Sequence, residues 1–289
     1  MNKNCLIAAI LILLGPGIYS EELYSQQKDE LSFLVVSQNL NMPESVYVTP
    51  RGTIYVVERG NHRLLVFDSE GKLSATLGNQ GFGEFQFNRP TDVDGTNGLK
   101  IYIADSNNGR VQVYDNRFQF LSAIQRERNS RFPGEIEPTY VTANPMGDLF
   151  IYDSGRHRIL KYNTNGIFET ERSLRGMEIA EVSGMNASED SIYLLDKESG
   201  IIHVLNQSLQ YRQFYGGWDH LQAMFVKHGQ FVVMDGSELV HMNLNGQVQN
   251  RKTLVQNDFK AISFYGRVFA AITEKSLVIY DFPFLQQFR

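Results

Sequence analysis

The side chains able to do chemistry in this chain fall into two sets, one that recurs and one that does not. The recurring set is an acid with an arginine five residues on: Glu58 and Arg63, Asp105 and Arg110, Asp153 and Arg158. Asp196 and Asp235 continue the acids without the arginine. A carboxylate facing a guanidinium forms a bidentate, charge-assisted bond, so such a set can brace a turn or make a ring of charges for a ligand. A ligand site needs one or two copies, and this pair occurs three times. Arg63, Asp105, Arg110, Asp153 and Arg158 are therefore assigned to the scaffold, the acid taking an arginine of its own or the next repeat. His62 and His157 lie inside the same phrases and are read the same way. No two histidines have the H-E-x-x-H spacing of a helical zinc site. A site gathered from distant segments would show no local spacing, so this argues only mildly against a metal.

The second set lies at the start of six short apolar runs: Glu44-Ser45, Thr91-Asp92, Thr139-Tyr140, Glu181, Gln222 and Lys260. These positions differ each time, and a position that varies inside a repeated frame is one the frame does not dictate. Glu44, Asp92 and Glu181 carry the oxygen donors that a hard cation takes. They fit either a calcium or zinc site or a solvated acidic rim. Trp218, the one tryptophan, sits in the irregular segment FYGGWDH at 214–220. It is either a binding anchor or a packing plug. The candidate contacts are thus Glu44, Asp92, Tyr140, Glu181 and Trp218. The Gly-rich stretch 78–83 lacks the Lys-Ser/Thr ending of a phosphate loop. No cofactor is expected outside the metal alternative.

The elements that must hold these residues are repeats. ERGNHRLLVFD at 58–68 returns as DSNNGRVQVYD at 105–115 and DSGRHRILKYN at 153–163. Looser copies begin at Asp196, Asp235 and Thr273. The six starts are 47, 48, 43, 39 and 38 residues apart, a period that signals a propeller or solenoid. In the first copy the apolar runs are Val46–Val48, Ile54–Val57, Leu64–Phe67 and Leu73–Leu77, parted by Gly, Pro, Asn and Asp turns. Four β-rich runs per repeat make a propeller blade. The fold class is all-β: a six-bladed β-propeller of four-stranded antiparallel blades. In that fold the variable set rings one mouth of the central channel.

Asn61-His62-Arg63-Leu64 and the linker GNQGFGEFQFNRP at 78–90 resemble the NHL repeat family. The resemblance is close over 42–165. Over 179–282 it is looser, since those copies lack the arginine. It implies the same six-bladed fold. Six-bladed relatives include the peptide-amidating lyase and gluconolactonase-like enzymes, whose lyase-type members carry disulfides and metal-binding histidines. Intracellular NHL proteins bind RNA through a basic face. Here 32 acidic residues against 27 basic ones give a net charge of −5, which argues against nucleic acid.

Ten apolar residues, Cys5–Leu14, follow a weakly basic start and precede Gly15-Pro16-Gly17. This reads as a secretory signal peptide over 1–20 cut after Ser20, and a run this short falls below the span of a bilayer of roughly 30 Å. A membrane is a partner only if the segment stays uncleaved. Cys5 is the only cysteine, so the mature chain would hold no disulfide. Residues 21–30 form an extension and 31–289 the propeller. Blade six lacks a fourth strand of its own, and Leu31–Val36 is expected to pair with Leu277–Tyr280 to close the ring. The functional expectation is an exported, periplasmic or extracellular module that binds a protein, peptide or glycan through one rim. The alternative is a metal-dependent lyase or lactone hydrolase with its site at the channel mouth.

Overall fold

The computed structural model describes residues 33–37, 39–96, 98–125, 134–227, 229–256 and 258–282. They form six four-stranded antiparallel sheets whose first strands neighbour one another around a channel. Blade 1 is Pro43–Val48, Ile54–Glu58, Arg63–Phe67 and Leu73–Leu77. Blade 2 is Pro90–Asp94, Lys100–Asp105, Arg110–Asp115 and Phe120–Gln125. Blades 3, 4 and 5 begin with Pro138–Ala143, Gly184–Ala187 and Leu221–Lys227 and run to Ser173, Tyr215 and Thr253. Blade 6 has Ala261–Tyr265, Val268–Ile272 and Leu277–Asp281. The helices among the described residues are single 3-10 turns, Arg59–Asn61 and Ser106–Asn108.

Period-two alternation explains the packing. Val46 and Val48 face Ala270 and Ile272 of blade 6, while Tyr47 between them faces Val93 and Ile101 of blade 2. The inner strand of blade 1 is therefore apolar on both faces and cements two interfaces. The outermost strands have no such duty. Phe168–Ser173 is exposed along most of its length, and its sequence is correspondingly polar.

In blades 1 to 5 the last residue of the phrase sets the turn into the outermost strand. Asp68 Oδ1 accepts the backbone N–H groups of Glu70 and Lys72 at 3.0 and 2.8 Å. Asp115, Asn163, Asn206 and Asn243 repeat this, each accepting from the residues two and four positions on at 2.7 to 3.0 Å. These are the local side-chain-to-backbone bonds that make Asx residues turn formers.

The ring closes as expected from the orphan run. Phe33–Ser37 pairs antiparallel with Leu277–Asp281, setting Phe33 opposite Tyr280, Leu34 opposite Ile279 and Val35 opposite Val278. Residues 31 and 32, the 1–20 signal segment, the 21–30 extension and the tail 283–289 lie outside the described residues. The outer strand of blade 6 thus comes from the N-terminal side of blade 1 and the other three from the far end of the chain, which covers an edge that would otherwise stand open.

Candidate functional site

In blades 1 to 5 the recurring acid holds the segment that leads into the innermost strand. Glu58 accepts the N–H of Asn41 at 2.8 Å, Asp105 that of Asn88 at 2.7 Å and Asp153 that of Glu137 at 2.9 Å. Asp196 accepts from Ala180 at 2.9 Å and Asp235 from His220 at 2.7 Å. Glu58, Asp105, Asp153 and Asp196 are buried, and a buried carboxylate requires such donors. The arginine belongs to the same blade: Arg110 Nε donates to Asp105 at 2.8 Å, Arg158 Nε to Asp153 at 2.8 Å, and Arg63 Nε to Glu58. Arg110 also donates to the carbonyls of Phe82, Gly83 and Gln86 at 2.7 to 2.9 Å, pinning the Gly-rich linker. In blade 4, where the arginine is missing, His203 Nε2 stands 3.8 Å from Asp196, and burial lowers the histidine's pKa.

His62 and His157 also serve the linkers. His62 Nδ1 accepts the N–H of Arg89 at 2.9 Å, while His157 contacts the Tyr152 hydroxyl at 2.9 Å and the Ile179 carbonyl at 3.2 Å. Both have positive φ, 54° and 51°, at the place where blade 2 has Gly109 with φ 62°. That conformation, unusual for a side-chain-bearing residue, is why glycine and histidine alternate there.

The channel wall follows from a second requirement. An innermost strand is a sheet edge, and its channel-facing N–H groups need acceptors. Side chains of the preceding blade supply them. Asp92 Oδ2 accepts the N–H of Val141 at 2.8 Å and Asp94 Oδ2 that of Ala143 at 2.5 Å. Asn186 accepts from Val226 at 3.1 Å, Ser263 from Val48 at 2.9 Å and Ser45 from Val93 at 3.5 Å. Burial raises the Asp92 carboxyl to about 7, against the opposing pull of the Ser45 hydroxyl and the Val141 N–H.

A cavity of about 120 Å³ lies within this wall, lined by Glu44, Asp92 and Tyr140 together with Lys197 and Lys260. Glu44 is engaged by two cations, Arg59 Nη1 at 3.2 Å and Lys260 Nζ at 3.4 Å. Lys260 also lies 3.7 Å from Glu274. Lys197 Nζ donates to the Lys260 carbonyl at 3.4 Å. Burial, then the positive charge of Lys260, lowers the Lys197 pKa, with Glu44 and Glu181 opposing. Burial raises the Tyr140 phenol, and Asp92, Glu44 and Glu181 add to the shift. Toward the other end Lys227, buried, reaches across the ring to the Tyr47 hydroxyl, its Nζ 4.3 Å from the centre of the Tyr47 ring. Burial lowers its pKa to about 8 while Asp94 opposes.

Glu44, Asp92 and Tyr140 are thus brought together. Glu181 is exposed beside them, close enough to act on Tyr140 and Lys197 but not part of the lining. Trp218 is elsewhere, half-buried against the blade 4 and blade 5 core with Tyr193 and Leu221. Among the described residues no group of three His, Cys, Asp or Glu side chains is placed to hold a metal ion. The sequence reading missed Lys197 and Arg59. Both directly follow a recurring acid, at a position occupied in turn by Arg59, Ser106, Ser154, Lys197 and Gly236. That column varies as the chosen one does, and the two columns touch, as at Arg59 with Glu44 and at Ser154 with Thr139 at 2.8 Å.

The family model described as NHL repeat matches residues 40–67 and 87–114, the first three strands of blades 1 and 2 with their leading segments. No curated protein matches the chain. Among solved structures, a streptogramin B lyase is similar at 9% identity with a TM-score of 0.59, covering 86% of this chain and 97% of that one. The structure of U3-55K is similar at 9% identity with a TM-score of 0.62, covering 86% and 98%. A protein of unknown function from Bacteroides thetaiotaomicron is 14% identical with a TM-score of 0.62, covering 88% of this chain and 72% of that one. Likeness at this identity establishes the fold alone, and a fold shared this widely does not carry an activity with it.

Proposed function

We propose that this NHL-repeat six-bladed β-propeller is an exported binding module that takes its partner at the channel mouth framed by Glu44, Asp92, Tyr140, Lys197 and Lys260, with Glu181 on the rim. One contrast carries the reading. The acids that fix the leading segments repeat from blade to blade, while the side chains they hold at the mouth differ each time. Symmetry serves the frame, and departure from symmetry serves recognition. His62, His157 and Arg110, which recur with the phrase, are engaged by the linkers that lead into the next blade. Export rests on the apolar run Cys5–Leu14 and the breaker that follows it.

The test is a nuclear magnetic resonance screen of peptides, glycans and small acids against the purified protein, with metal content measured after dialysis. Ligands that shift the mouth residues, and that lose affinity in Tyr140→Phe but not in the distant Arg267→Ala, support the module. Failure of every compound to perturb the mouth would overturn it. So would stoichiometric calcium or zinc that is lost in Glu44→Ala, with turnover of a lactone or ester; that outcome would install the metal-dependent lyase or hydrolase instead.

A further inference from the structure

We infer that the channel mouth accepts a single carboxylate of its ligand, seated between the Lys197 ammonium and the Tyr140 hydroxyl. The inference rests on the mouth being the binding site and adds the chemistry of what enters it.

The cations there are not equivalent. Arg59 is neutralised by Glu44 at 3.2 Å, and Lys260 lies between Glu44 at 3.4 Å and Glu274 at 3.7 Å. Among the described residues Lys197 has no carboxylate within 4.0 Å, and its one hydrogen bond is to the Lys260 carbonyl at 3.4 Å. An ammonium has three donors, so two remain for the cavity it lines. A half-buried cation without a counter-ion carries a desolvation cost that an incoming anion would relieve.

The neighbouring groups favour an acceptor. Tyr140 lines the same cavity, and its ionisation is suppressed by burial and by Asp92, Glu44 and Glu181, so its hydroxyl remains a donor. Asp92 does not compete for Lys197 as an open carboxylate, because its oxygens already accept the N–H groups of Val93 at 2.9 Å and Val141 at 2.8 Å. The same three acids set an upper limit on charge. One negative charge is balanced by Lys197, whereas a dianion would meet the field of Glu44, Glu181 and Asp92 with no second cation, among the described residues that line the cavity, left without a carboxylate. Size agrees: the cavity of about 120 Å³ is well above the roughly 10–15 Å³ that one water needs on the same measure, so a carboxylate and the carbon that bears it have room. The remainder of the ligand would stay on the rim.

Such a carboxylate has two sources, a chain terminus or an acidic side chain, and calorimetry with defined probes separates them. N-acetylglycine presents a terminal carboxylate, N-acetylglutamate N-methylamide a side-chain carboxylate, and N-acetylglycinamide neither. Inorganic phosphate at matched ionic strength tests charge. The expected result is saturable binding of at least one carboxylate probe, no binding of the amide, and weaker binding of phosphate. Lys197→Met should reduce carboxylate affinity tenfold or more, Lys197→Arg should retain it, and Tyr140→Phe should weaken it with an unchanged melting temperature. Amide binding equal to carboxylate, tighter binding of phosphate, an unchanged affinity in Lys197→Met, or no carboxylate binding while other compounds still shift the mouth residues would each overturn the carboxylate assignment and leave the binding module standing. Absence of any ligand at the mouth would overturn both.

Discussion

Arg63 and Arg110 hold the same place in their blades, yet their removal should have different consequences. Arg110 is 5% exposed and ties Asp105 to three linker carbonyls, so Arg110→Ala leaves a buried carboxylate without its cation. The expected loss is about 3 kcal/mol, the lower end for breaking a buried pair. The Arg63 side chain is 34% exposed although Glu58 is buried, so water can in part replace the lost cation, and Arg63→Ala should lose less, about 1.5 kcal/mol. Chemical denaturation of both variants checks the ratio; equal losses would mean that the linker contacts contribute nothing. Asp92 supplies a pH prediction. Its pKa is raised from the ordinary value of 3.8 to about 7, so between these values the folded state binds more protons than the unfolded one. Stability should therefore fall as pH rises from about 4 to about 7. Lys227 works in the opposite sense and in another window. With its pKa lowered to about 8, it adds stability only as pH climbs from there toward the unfolded value of 10.5. Asp92→Asn should flatten the acid-side slope, read as urea midpoints from pH 4.5 to 7.5; an unchanged slope would assign the effect to other groups.

At the level of strands and turns, the first three blades are legible because each carries every local device at once. Arg110 and Asp105 face each other at the mouth of a four-residue turn, and the family match falls on such blades. In blade 5 the turn is cut to Gly236-Ser237, with Asp235 paired directly to Glu238. No arginine has a place there, and the copy fades in sequence while its strands persist. What survives in all of blades 1 to 5 is the Asp or Asn that closes the third strand. Asn163→Ala should cost about 1 kcal/mol and speed hydrogen exchange at Asn165 and Ile167, whose N–H groups it accepts at 3.0 Å. Exchange in blade 5 should be untouched, and a global rise instead would mean that the turn is not a local unit. The site was half legible. Glu44, Asp92 and Tyr140 come from the one column of varying residues that the sequence reading followed. Lys197 comes from the adjacent column, and only the approach of a second strand's end to a first strand's start brings the two together. Trp218 drew notice for its type, but its surroundings are apolar core.

For the whole molecule, stability depends on joining the two ends of the described chain. Blade 6 takes Phe33–Ser37 as its outer strand against Leu277–Asp281, so the ring is closed by a pairing that spans nearly the entire sequence. Such a contact forms late, since its loop-closure entropy is offset only when the other blades are in place. It is also the site where the propeller should open first, because separation exposes a bare edge along buried Val278 and Tyr280. The cross-strand partners Leu34 and Ile279 offer a direct test. Leu34→Cys with Ile279→Cys, in a chain whose one native cysteine is Cys5, should cross-link on oxidation once Cys5 is replaced by serine. A bond closing a loop this long should stabilise the oxidised form by about 5.5 kcal/mol over the reduced form on chain-entropy grounds. Deleting the residues before Leu40 removes this strand and should promote self-association through the uncovered edge of Leu277–Asp281. If the two cysteines fail to join under oxidising conditions, or join without raising the melting temperature, this strand is not the latch of the ring, and blade 6 must be completed in another way.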